Sequence, residues 1–191
     1  FLQLKSEKER FRKTRHDISN ILTTAAGFIE IGKPEKALEI IQNADNDIHL
    51  SANKEICKNE TINTIYTIKR QQALKKGIDF IIDVKEDAQI NIPDYDLCRV
   101  LTNLIDNQIN ALENSDSKNF ELKIICTMND IIITGSNEYT PSTKNNKNDP
   151  NHGYGQKIIS SIAKKYNGSY KSEISNGKFI TSTILENKKL I

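Results

Sequence analysis

Leu101-Thr102-Asn103-Leu104-Ile105-Asp106-Asn107-Gln108-Ile109-Asn110-Ala111 is the stretch from which the fold can be read. With Leu97 and Val100 ahead of it, its apolar residues recur three or four apart, the period of a helix laid on a core. Asp94, just after Pro93, is placed to cap that helix. Asn103, Asp106, Asn107 and Asn110 follow the same period and make a polar stripe opposite the leucines. A plain solvent face would look the same. Amides beside a carboxylate also suit a hydrated magnesium ion, which takes oxygen ligands and is commonly shared with phosphates.

Beyond this helix, Phe120–Thr127 and Ile131–Ser136 read as strands turned at Asn129-Asp130. Glu138 to Asn151 is polar and aperiodic, the pattern of a mobile loop. His152-Gly153-Tyr154-Gly155 then opens a helix running to about Asn167, with Gly168 as its stop. Two further strands, Ser169–Ser175 and Lys178–Leu185, turn at Asn176-Gly177. Glycines at a helix start let backbone amides approach phosphate oxygens, and the helix end adds partial positive charge. Alone such a pair is common. Here it follows a loop carrying Lys144 and Lys147, which could close as a lid over a triphosphate held between the loop, the stripe and the glycines. Before the stripe, Thr61–Lys76 reads as a helix capped by Gly77, and Ile78–Val84 as a strand. This order predicts an α/β sandwich, one mixed sheet with helices on one face.

The N-terminal part is different. Phe1–Ile31 is helical in pattern, Gly32-Lys33-Pro34 breaks it, and Pro34 to about Asn53 resumes it. So short a turn makes the two helices antiparallel neighbours. Their apolar stripes, which include Ile18, Leu22, Ala25, Ile29, Leu38 and Ile41, exceed what a lone hairpin can bury. A second copy would complete a four-helix bundle. Composition turns polar around Ile56–Thr61, so we place the domains at 1–56 and 57–191. Within the first lies Arg15-His16-Asp17-Ile18-Ser19-Asn20. His16 and Asn20 stand one turn apart on one face, with Asp17 beside them. A carboxylate can hold the proton of one ring nitrogen and leave the other as a nucleophile, while an amide orients the arriving or departing group.

Composition excludes several classes. The 191 residues carry 27 Lys and Arg against 25 Asp and Glu, a net charge of +2, which does not suggest a nucleic-acid surface. Cys57, Cys98 and Cys126 are far apart and odd in number, which argues against zinc or a disulfide framework and for a reducing, cytoplasmic setting. No apolar run approaches a membrane span. The first residue is Phe1, and we read the chain as a piece of a longer protein.

Taken together, these stretches resemble the cytoplasmic half of sensor histidine kinases with a GHKL-type ATPase domain. The nearest branch is the accessory-gene-regulator-like and citrate-sensor-like one, with its short dimerisation hairpin. Arg15 to Asn20 looks like that branch's phospho-acceptor box, and Phe28-Ile29-Glu30-Ile31-Gly32-Lys33 like the turn after it. Asp96 to Asn107 looks like the N box, with Asn107 as the magnesium ligand, and His152 to Gly155 like the glycine box. The resemblance implies an α+β chain: a dimeric helical bundle followed by a Bergerat-type sandwich. It implies ATP and Mg²⁺ as cofactors, held through Asn103, Asn107, Asn110, Gly135, Asn137, Lys147, Gly153 and Gly155. His16, Asp17 and Asn20 would be the catalytic set, and the partners a second copy and a response-regulator receiver domain. It also allows membrane attachment of the full-length protein through an N-terminal sensor region outside this chain.

The chain departs from the family at three places. Gln108 and Asn110 stand where the family has Ala and Glu. The adenine-reading carboxylate or amide, aligned on Ile131-Ile132-Ile133, falls on Gly135, with Asn137 as a displaced substitute. Without an acceptor there, affinity and discrimination drop. The alternative reading is therefore a phosphotransferase or pseudokinase module, as in a sporulation phosphotransferase that pairs this hairpin with a degenerate ATPase-like domain.

Overall fold

The computed structural model describes residues 2–44, 55–113, 115–139 and 153–188, and the chain divides into two compact units, Phe1–Leu50 and Ser51–Ile191. The first unit is a helical hairpin of α1 (Leu2–Glu30) and α2 (Pro34–Ala44). Gly32 at φ 72° takes the left-handed turn. The amide of Lys33 reaches Phe28 O at 2.8 Å and that of Gly32 reaches Ile29 O at 3.0 Å. That pair of bonds closes the last turn of α1, and Pro34 pre-sets the first turn of α2. Ala25 and Ala37 are buried, whereas Ile18, Leu22, Ile29 and Ile31 are each more than half exposed. The expected continuation of α2 to Asn53 lies outside the described residues.

The second unit contains α3 (Glu60–Lys75), β1 (Asp79–Glu86), α4 (Asp94–Glu113), β2 (Asn119–Cys126), β3 (Asp130–Glu138), α5 (Tyr154–Lys165), β4 (Ser169–Ser175) and β5 (Lys178–Glu186). Its sheet runs in the order β1-β2-β3-β5-β4. β1 and β2 are parallel, joined across α4, and the other pairs are antiparallel. Every second residue of β2 and β3 is buried, from Phe120 to Cys126 and from Ile131 to Asn137. Those faces meet Leu97, Leu101, Leu104, Ile105 and Leu112 of α4 in one core. Each such side chain contributes about 1.5–3 kcal/mol by leaving water. The stretch read as the domain joint is tied to this unit. The amides of Ile56 and Cys57 donate to Asn63 Oδ1 at 3.0 and 3.2 Å.

Local chemistry fixes the ends of the elements. Asn59 caps α3 by accepting from the Ile62 amide at 2.9 Å. Asn176 and Gly177, with φ 50° and 73°, make the tight turn that favours a right-twisted hairpin. Asp94, expected as a cap, is instead the first residue of α4 and accepts from the Thr61 hydroxyl at 2.7 Å. The stop of α5 also differs from expectation. Asn167, at φ 51°, makes the left-handed turn, and Gly168 is required for another reason. A Cβ there would stand 1.7 Å from the carbonyl oxygen of Ile184.

A buried carboxylate ties α4 to α5. Asp96 Oδ2 accepts from Lys165 Nζ at 2.6 Å and from the Tyr166 hydroxyl at 2.7 Å. Burial alone would raise the Asp96 pKa, but these two hydrogen bonds and the Lys165 charge outweigh it and hold the pKa low. The stabilisation is therefore present above the ordinary carboxylate range, about pH 4, and is lost as acid carries the pH through the lowered value. Burial and the Asp96 charge push the Tyr166 hydroxyl far up, so it stays a donor.

Candidate functional site

The residues expected to hold phosphate and metal meet where α4 faces the start of α5. A Cβ on Gly155 would begin 2.9 Å from Asn103 Oδ1 and 3.2 Å from Asn107 Oδ1. Two carboxamide oxygens, one helical turn apart, thus converge on the first turn of α5. Asn103 Nδ2 donates to Arg99 O at 2.7 Å, which turns its oxygen toward that helix. Gly153, at φ 90°, precedes the helix in a conformation that side chains rarely adopt. The first amides of α5 have no partner within the helix by its geometry.

The polar stripe is not one surface. Asp106 turns to α3, where Lys69 Nζ donates to its two oxygens at 2.7 and 2.9 Å. Asn110 is exposed. Asn103 and Asn107 are the pair that faces Gly155. Among the described residues no group of three or more His, Cys, Asp or Glu could hold a metal ion. Magnesium does not need one, because it is often held by one or two protein oxygens together with phosphates. The hard oxygens of Asn103 and Asn107 fit that requirement.

Next to Asn107, Gln108 points elsewhere. Its side chain is fully buried, and neither Nε2 nor Oε1 has a hydrogen-bond partner among the described residues. Nε2 lies 3.0 Å from where a Cβ on Gly135 would stand, and Thr181 Oγ1 lies 2.8 Å from the same point. The slot expected at Gly135 offers no side-chain acceptor. That residue is mid-strand, and Gln108 and Thr181 fill the space beside it. Asn137, two residues on, shares the buried face of β3. Its Nδ2 donates to Glu138 O at 2.8 Å, and its Oδ1 is buried without a partner among the described residues. Thr183 Oγ1 is in the same condition. Thr181 and Thr183 were not singled out from the sequence, and Gln108 was noted only as a departure from the family's Ala. Gln108 occupies a core position in the period of Leu101, Leu104 and Ile105, and a polar residue there was the available signal.

Lys144, Lys147, His49 and His152 lie outside the described residues. A cleft of about 360 Å³ lined by residues of α3 and α4, among them Ile65, Ile68 and Thr102, includes Lys69 but none of Asn103, Asn107, Gln108, Asn137 or Gly155.

In the first unit, His16 is exposed on α1 and Nδ1 lies 3.2 Å from Asn20 Nδ2. Asp17 Oδ1 is 3.8 Å from the same nitrogen, within reach of its charge but beyond a hydrogen bond. When Asn20 donates, Nδ1 carries the lone pair. If Asp17 takes the proton of Nδ1 instead, Nε2 is the free nucleophile. Both partners act on one ring nitrogen.

Residues 92–186, from the residue before Pro93 to the end of β5, match the family described as the GHKL domain. The chain carries a GHKL domain. A curated relative, the sensor protein CitS of Halalkalibacterium halodurans, is 27% identical over 133 residues, covering 65% of this chain and 24% of the relative. This chain thus spans about a quarter of that relative's length. The fold of the GHKL domain is that of the catalytic domain of histidine kinase ThkA, at TM-score 0.54 and 19% identity, over 73% of this chain and 100% of that one. A structure of ThkA in complex with response regulator protein TrrA matches at TM-score 0.50 and 16% identity, over 97% of this chain and 63% of that one. Domain match, relative and fold are each similar to sensor histidine kinases. No described helix is long and apolar enough to cross a membrane.

Proposed function

We propose that the chain is the kinase part of a two-component sensor, which transfers the γ-phosphoryl group of ATP to His16 and passes it to an aspartate of a receiver domain. The observation that carries this reading is the unpartnered Oδ1 of Asn137. One of its two amide N–H groups is committed to Glu138 O, and the oxygen is left as an acceptor without a partner among the described residues. An acceptor suits the amino group of adenine and opposes the carbonyl of guanine. Asn103 and Asn107 would hold magnesium, and the amides after Gly153 would meet the phosphates. Bound magnesium would neutralise charge on the phosphate oxygens. The complex recorded for ThkA supports a response regulator as the phosphate acceptor. Residues 1–56 would serve dimerisation and acceptance of phosphate, and residues 57–191 the binding of nucleotide, in a cytoplasmic part of a membrane-attached protein.

Thermal shift tests the nucleotide step. With magnesium and a nonhydrolysable ATP analogue at a hundredfold excess over Kd, the melting temperature should rise on the order of 5 °C or more. Asn107→Ala should lose the magnesium-dependent part while keeping its apo melting temperature. Equal shifts in both proteins would refute Asn107 as the metal ligand. No shift in either would leave the phosphotransferase or pseudokinase reading.

The exposed apolar side chains of the hairpin support a homodimer through the first unit. Light scattering at micromolar concentration should give twice the chain mass, and Ile18→Glu with Leu22→Glu should halve it. A monomeric parent chain would sink the dimer.

A further inference from the structure

We propose that Asn176 is a site of spontaneous covalent modification, where loss of the side-chain amide through a cyclic imide lengthens the β4–β5 turn and releases its hold on the end of β3. The chain contains two Asn-Gly pairs, Asn167-Gly168 and Asn176-Gly177. Glycine puts no Cβ beside its own amide nitrogen, which leaves that nitrogen open to attack the preceding carboxamide. At Asn176 the Gly177 nitrogen gives up its proton and bonds to Cγ, the Cγ–Nδ2 bond breaks, and ammonia leaves. Water then opens the five-membered imide at one of its two carbonyls. Breaking the new bond to Cγ gives aspartate, and breaking the original peptide bond gives isoaspartate. One water is consumed and one ammonia released, with no other reactant.

Both pairs sit in left-handed turns, at φ 51° for Asn167 and 50° for Asn176, and their surroundings separate them. Asn167 Nδ2 donates to Glu186 Oε2 at 2.7 Å, and the Gly168 amide donates to Ala163 O at 2.8 Å. Leaving group and nucleophile are both tied, and Gly168 is pressed against Ile184 O. Asn176 and Gly177 are exposed, and neither the side-chain amide nor the Gly177 nitrogen has a hydrogen-bond partner among the described residues. Attack needs the Asn176–Gly177 peptide to rotate, which fraying at a hairpin tip allows at little cost. The tip also holds the chain as it leaves β3. Gly177 O accepts from the Tyr139 amide at 2.8 Å, and Lys178 pairs with Glu138. Isoaspartate routes the main chain through Cβ and Cγ, adding one atom to a two-residue turn. The longer turn no longer matches the Ser175–Lys178 pairing, and the Gly177 carbonyl moves away from Tyr139.

The test is incubation of the full chain at mildly alkaline pH and physiological temperature, for a time in which a free peptide of residues 170–182 is mostly converted. Peptide mapping by mass spectrometry, against synthetic aspartyl and isoaspartyl standards, follows both sites. Asn176 should be converted about tenfold faster than Asn167 or more, because two hydrogen bonds hold the latter. Hydrogen exchange at the Tyr139 amide should be faster in the aged chain than in the fresh one. Asn176→Gly keeps a residue suited to the left-handed turn and has no amide to lose, so its Tyr139 protection should outlast the same incubation. An intact Asn176 at the end of the incubation, or conversion of Asn167 as fast or faster, would overturn the site. Isoaspartate at Asn176 with Tyr139 protection unchanged would overturn its hold on β3.

Discussion

His16→Gln should reduce incorporation of labelled phosphate from ATP to background. The imidazole is exposed on α1, and its Nδ1 is the atom that both Asn20 and Asp17 address, at 3.2 and 3.8 Å. Glutamine keeps size, polarity and helix propensity but has no nitrogen lone pair with which to attack phosphorus. The hairpin therefore survives, and the circular dichroism of the variant should match the parent. Asp17→Asn removes the charge that draws the ring proton and should slow the reaction about a hundredfold, as loss of a general base does. The phosphorylated parent should lose its label in acid and keep it in alkali, as a nitrogen–phosphorus bond requires. Label that persists in the His16 variant, or that survives acid, would mean that Arg15 to Asn20 is not the acceptor.

Gly168→Ala should be the most damaging single-methyl change in the second unit, costing about 3 kcal/mol or more. The new carbon would lie 1.7 Å from Ile184 O, 2.6 Å from its carbonyl carbon and 3.1 Å from Leu185 Cα. All three are backbone atoms, so no rotamer change relieves the overlap. β5 cannot retreat, because β3 and β4 hold it by hydrogen bonds on both edges. Gly77→Ala is the control. Its φ of 69° is left-handed, as that of Gly168 is not, but its missing side chain faces open space, so the change should cost only about 1–2 kcal/mol. Denaturant unfolding of the three proteins measures the difference. A Gly168 variant within about 1 kcal/mol of the parent would show that the strand yields.

What the sequence disclosed depended on whether the signal was local. Hairpin turns and helix stops are written in two or three residues, and Asn176-Gly177, Gly32 and Gly77 were each legible. The leucine side of α4 was legible from its period. The polar side was not, because Asp106 is drawn to Lys69, 37 residues away, and no periodicity records a distant lysine. Gly168 was assigned to the end of α5, when its true constraint comes from Ile184 in another strand. At the end of β3, counting from the isoleucine run led to Gly135. The two-residue alternation that buries Ile131, Ile133 and Gly135 extends to Asn137, the residue read as its displaced substitute.

The contact between Gly135 and Gln108 also constrains descent. A side chain at position 135 and a glutamine at position 108 cannot share the core without one of them moving, and both neighbours are walled in. An ancestor with a small residue at 108 could lose its side chain at 135 first and then lengthen 108. The reverse order passes through a collision. The two positions should therefore change as a correlated pair among descendants, and glutamine at 108 should be found only in lineages already glycine at 135.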